Sequence, residues 1–136
     1  MKHLNQFITE YIIKKKLDTP IDSEDHYKYF PTSKKELIRN IDELLNEGET
    51  NLNCIDTSKI TDMSYLFKTI MHKTANIDVS NWDVSNVTNM AYTFFNCYNF
   101  DCDLYKWNVK NVKYMSETFS NCTSLKNKPR WYKSLK

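Results

Sequence analysis

Leu4, Phe7, Ile8, Tyr11 and Ile12 fall at i, i+3, i+4, i+7 and i+8, so the first segment predicts an amphipathic helix over residues 4–17. Lys14, Lys15 and Lys16 occupy its last turn, where cations suit the helix dipole, and Asp18-Thr19-Pro20 ends it. A second helix is predicted over 33–47. Ser33 and Glu36 have capping-box spacing, Leu37, Ile38, Ile41, Leu44 and Leu45 form one apolar face, and Gly48 suits the left-handed position that closes a helix. Residues 1–50 therefore read as a helical pair whose apolar faces must cover something.

Past residue 50 the pattern becomes repetitive. Asp56–Met63, Asp83–Met90 and Asn108–Met115 align, with the methionines 27 and then 25 residues apart. Phe67, Phe94 and Phe119 each follow a methionine by four, and Cys97 and Cys122 follow two of them by seven. Trp82, Trp107 and Trp131 recur at intervals of 25 and 24. Self-similarity of this kind marks units that cannot bury their own apolar faces and so stack on one another. Ile77-Asp78-Val79-Ser80 and Cys102-Asp103-Leu104-Tyr105 alternate apolar and polar, which predicts short strands. Val87, Met90, Ala91 and Phe94, with their counterparts Ile60, Met63, Phe67 and Val112, Met115, Phe119, have helical spacing. Asn96 and Asn121 stand at the expected left-handed ends of those helices. The expected fold is an α/β repeat solenoid of about three strand–turn–helix units over 51–125. The two-helix block 1–50 caps one end, and a basic, aromatic tail over 126–136 meets the other.

Ser80-Asn81-Trp82-Asp83-Val84-Ser85-Asn86-Val87-Thr88-Asn89-Met90, with Phe94 and Cys97 after it, resembles the repeat unit of the BspA-type leucine-rich repeat family. The third unit departs from that pattern at Lys110 and Lys113, and the first has Ile55 in place of tryptophan and no cysteine. The resemblance implies protein recognition, adhesion or host interaction without catalysis. It also extends to small leaderless members in bacteriophage genomes, so it implies a phage-encoded effector acting on a host protein.

Composition narrows the chemistry. A single glycine, Gly48, excludes glycine-rich phosphate loops and dinucleotide fingerprints. A net charge of +2 gives no reason to expect a nucleic-acid partner. Cys54, Cys97, Cys102 and Cys122 show no CxxC spacing and no histidine partners at finger-like distances, so no metal is expected, and nothing implies a cofactor or a catalytic group. Cys97 and Cys122 share one slot in adjacent units and read as buried thiols. Asn5, Gln6, Thr9 and Glu10 interrupt the N-terminal apolar residues, so no signal peptide or membrane span is expected and the protein reads as cytoplasmic.

If Leu52, Val79 and Leu104 point inward, Asn51, Asp78 and Asp103 share one outer column, and Asn53, Ser80 and Tyr105 share the next. These six positions are the expected protein-binding site, because repeat stacks present such columns as extended surfaces. An assembly subunit that associates through its repeat ends is the alternative reading. A monomer is favoured over a homodimer, since the five cations of 126–136 would meet like charge across a two-fold axis.

Overall fold

The computed structural model describes residues 26–134. The helix expected over 4–17 lies outside them. The second expected helix is present as α1, Lys34–Asn46, with Ser33 as N-cap accepting the Glu36 N–H at 3.2 Å. Only half of the expected capping box forms: the Glu36 carboxylate accepts the Thr32 N–H at 2.9 Å, one residue earlier than the reciprocal bond requires. At the other end the Gly48 N–H donates to Leu45 O and the Glu49 N–H to Leu44 O, with Gly48 at φ 82°. That pair of bonds is a Schellman closure, and it needs the left-handed backbone glycine provides. Leu37, Ile41 and Leu44 are buried, and they belong to one core that continues through the repeats to Tyr132.

The repeats overturn the expected fold class. Among the described residues there is no named strand. Beyond α1 the helical elements are a 3-10 turn, Met71–Lys73, and a short C-terminal helix α2, Arg130–Ser134. An α/β solenoid of strand–turn–helix units is therefore not what this chain builds. The strand expected at 77–80 reduces to one isolated parallel bridge, Asn51↔Asp78, and no bridge forms at 102–105. Side chains stop the ladder: Asp78 Oδ1 accepts the Ser80 N–H at 3.0 Å, and Asp103 Oδ1 accepts the Tyr105 N–H at 3.1 Å. A backbone N–H held by its own neighbour is lost to strand pairing.

The expected short helices are successive four-residue turns. Thr93 N–H donates to Met90 O, Phe95 N–H to Tyr92 O and Cys97 N–H to Phe94 O. The reason is the sign of φ. Tyr65, Tyr92 and Glu117 lie at φ 55°, 60° and 57°, and Asn76, Asn96 and Asn121 at 63°, 61° and 62°. An α-helix requires negative φ at every residue, so a left-handed residue at each turn forbids it.

Turns alternate with bonds between units. Met63, Tyr65 and Phe67 donate their N–H groups to the carbonyls of Asn89, Ala91 and Thr93, and Met90, Tyr92, Phe94 and Asn96 donate to Tyr114, Ser116, Thr118 and Ser120. Equivalent side chains therefore lie one above another. Phe67, Phe94 and Phe119 stack at 5.2 and 5.6 Å between ring centroids, and Trp82, Trp107 and Trp131 at 6.4 and 6.2 Å. Thr93 and Thr118 are fully buried because each hydroxyl spans two units: Thr93 Oγ1 donates to carbonyls of Met63 or Met90, and Thr118 Oγ1 to those of Met90 or Met115.

Candidate functional site

The first expected column, Asn51, Asp78 and Asp103, does form a row. Each carboxylate or amide oxygen accepts the N–H two residues on, from Asn53, Ser80 and Tyr105 at 3.1, 3.0 and 3.1 Å. These are Asx turns, and they commit one side-chain oxygen of each residue to the fold. Asn51 and Asp103 are exposed and Asp78 is half-buried. Burial alone would raise the Asp78 carboxyl, but bonds from the Ser80 hydroxyl and N–H, Asn53 and Cys102 outweigh it and hold Asp78 below the usual carboxylate range. The second column is broken. Asn53 is only 6% exposed, with its Oδ1 accepting the Asn81 N–H at 2.9 Å. Ser80 is half-buried and donates its hydroxyl to Asp78 Oδ1 at 2.6 Å. Tyr105 alone stands out, 67% exposed, with the Lys106 ammonium 5.8 Å from its ring centroid. Between 76–80 and 101–103 lies a shallow depression of about 400 Å³, lined by Asp78, Asp101 and Asp103 among others.

A second surface escaped the sequence reading. Tyr65 and Tyr92 stack nearly parallel, with centroids 4.7 Å apart and planes at 4°, and Phe95 packs edge-on against Tyr92 at 5.4 Å. Tyr65 is 44% exposed, and the Lys68 ammonium lies 5.6 Å from its ring. Both tyrosines occupy the left-handed position two residues after a methionine, so the backbone, rather than apolar burial, turns their rings outward. The signal was present in the sequence: Tyr65 and Tyr92 share the 27-residue period of Met63 and Met90. Glu117 takes the same slot in the third unit and ends the aromatic row.

Three of the four thiols are poor nucleophiles. Cys97, Cys102 and Cys122 are buried without disulfides, and burial pushes them up to about 12, about 11 and about 11. Cys122 Sγ lies 3.0 Å from Phe94 O in the preceding unit. Among the described residues no group of three or more His, Cys, Asp or Glu side chains could hold a metal ion, and no helix is long and apolar enough to cross a membrane.

Compared with known proteins, residues 33–134 match the sequence profile of a family described as Mycoplasma protein of unknown function, DUF285. The match begins at the N-cap of α1 and runs to the end of α2, so helix, repeats and terminal turn are covered together. No curated protein and no solved structure matches the chain significantly.

Proposed function

Given that the chain belongs to the DUF285 family, we propose that it is a non-enzymatic module that binds a partner protein. The observation that carries this reading is the aromatic row of exposed Tyr65 stacked on half-buried Tyr92 and Phe95, on a backbone fixed by inter-unit bonds. Tyrosine is enriched among residues that dominate protein–protein binding, because it brings contact area with little rotamer entropy to lose. Here the stack removes even that freedom before binding. Tyr105, with the Asp78 and Asp103 turns beside it, is the second part of the surface. The finer likeness to BspA-type repeats, and to their small phage-borne forms, supports the same class of function and points to a host protein as the partner.

The test is a quantitative pull-down with the intact chain and with a Tyr65→Asn/Tyr92→Asn variant. Asparagine tolerates the left-handed backbone, so the variant removes the rings and keeps the turns. One stoichiometric partner, lost in the variant while the melting temperature holds, is the expected result. A defined homo-oligomer with no partner would overturn it in favour of the assembly reading.

A further inference from the structure

The repeat stack is chemically unlike at its two edges. At the first edge no preceding unit among the described residues offers an N–H to the carbonyl of Ser64. Its counterparts, the carbonyls of Ala91 and Ser116, accept the N–H groups of Tyr65 and Tyr92. The chain supplies a substitute there: Lys34 Nζ, reaching from α1, donates to Ser64 O at 3.1 Å and lies 3.3 Å from Asp62 Oδ2. The acceptor edge is thus met by a donor.

The last edge carries the complementary need and, among the described residues, no such substitute. By register, Met115 and Glu117 repeat Met90 and Tyr92, whose N–H groups donate to Tyr114 O and Ser116 O. Among the described residues the Met115 and Glu117 N–H groups donate to nothing. The Lys113 carbonyl repeats that of Thr88, which accepts from Lys113 and Tyr114, and it too lacks its pair of donors. Trp131 and Tyr132 close only the neighbouring part of this edge, with rings 5.8 and 5.1 Å from Phe119. Among the described residues, what stays open is a depression of about 370 Å³ lined by Val112–Glu117 and Tyr132.

Charge singles out what fits there. Residues 104–136 hold eight Lys and Arg against one acid, Glu117, whereas residues 1–103 hold eleven against sixteen. Met115 N–H and Lys113 O are spaced as the bridge Asn89↔Tyr114 uses them, so an extended segment running parallel to 113–117 can continue the ladder. We infer that this edge receives an extended, acidic segment of the partner protein. The inference rests on the protein-binding reading above and says where, and by what chemistry, part of that partner docks. A second copy pairing two-fold is the poorer fit, because it would bring together two copies of the predominantly basic segment 104–136.

The probe is the peptide acetyl-(Glu-Val)4-amide, titrated into the intact 15N-labelled chain, with acetyl-(Lys-Val)4-amide as its control. Saturable shifts of the Met115 and Glu117 amides with the acidic peptide only are expected. Lys113→Glu should weaken that binding about threefold and Glu117→Lys should strengthen it about threefold, the scale of one exposed charge pair. Shifts confined to Tyr65 and Tyr92 or to 78–105, or no shift at all, overturn the edge assignment. The pull-down with the tyrosine variant still decides the broader reading, so the two failures are distinguishable. Shifts of the same amides on raising protein concentration alone would assign the edge to a second copy. Equal shifts with an oligothymidylate of eight nucleotides would assign it to a polyanion. Either of those outcomes also overturns the inference.

Discussion

The indole N–H of Trp107 donates to the carbonyl of Val79 at 3.0 Å, across 28 residues of chain, and the same bond recurs from Trp82 to Leu52 and from Trp131 to Leu104. One side chain thereby stacks on its counterparts and satisfies a carbonyl of the preceding unit. Trp107→Phe keeps the stack and leaves Val79 O with the Trp82 N–H as its one remaining donor. The cost should be about 0.5–1.5 kcal/mol, seen as a fall of about 2–6 °C in melting temperature by circular dichroism. A variant melting within a degree of the parent would show that stacking alone holds the column.

Asn76 is exposed and lies at φ 63°. A β-branched residue is poorly tolerated there, so Asn76→Val should lose about 1–2 kcal/mol in urea unfolding. Asn76→Gly should stay within about 1 kcal/mol of the parent, since relief of backbone strain is offset by a freer unfolded chain. Equal stabilities for the two variants would contradict the left-handed assignment.

Acid should weaken the fold through Asp78 and Asp62. Burial raises each, but the bonds to Ser80 and to Ser64 and Lys34 prevail, and both carboxyls titrate below the ordinary 3.8. Their contribution is complete above that value and is lost as pH falls through the lower native one. Stability measured from pH 7 to pH 2 should be flat at first and then decline below about pH 4. Asp78→Asn, whose Oδ1 still accepts the Ser80 N–H, should flatten that decline, and an unchanged acid slope would assign it to other groups.

Alkali acts with the opposite sign. Cys97, Cys102 and Cys122 ionise at 9.0 in an open environment and at about 12, about 11 and about 11 in the native protein. Their stabilising effect is complete below pH 9.0 and disappears as pH rises through those native values. Tyr132, raised by burial, adds to the same trend. At pH 8 these three thiols should react with a disulfide reagent only as fast as the protein opens, and at once in denaturant. Rapid labelling of Cys97 in the native state would show that its pocket is not closed.

Side-chain columns were legible in the sequence, and the backbone between them was not. Met63, Met90, Phe67, Phe94, Trp82 and Trp107 are buried at their expected repeat positions, because fixed spacing reports stacking whatever the local conformation. Val87, Met90, Ala91 and Phe94 fit a 3.6-residue period, yet recurring four-residue turns bring the same side chains inward. Asn96 and Asn121 announced a left-handed backbone correctly, at φ 61° and 62°. Tyr92 and Glu117 did not, since tyrosine and glutamate are not residues that mark it. Alternation at 77–80 correctly put Ile77 and Val79 inside, but it could not show that Asp78 would take the Ser80 N–H for itself. Asn53 was lost from the expected surface in the same way, drawn inward to accept the Asn81 N–H.

The first unit is two residues longer than the second, and the excess lies between Phe67 and Val79, where the chain forms the 3-10 turn Met71–Lys73. Register is recovered immediately afterwards, at the Asn51↔Asp78 bridge and at Trp82. Length variation is thus absorbed on one flank while the tryptophan and phenylalanine columns stay aligned. That flank is the natural position for grafting foreign sequence: a loop carried at exposed His72 would be displayed from the scaffold, provided Met71 keeps its contact with the core and its carbonyl the bond from the Thr74 hydroxyl.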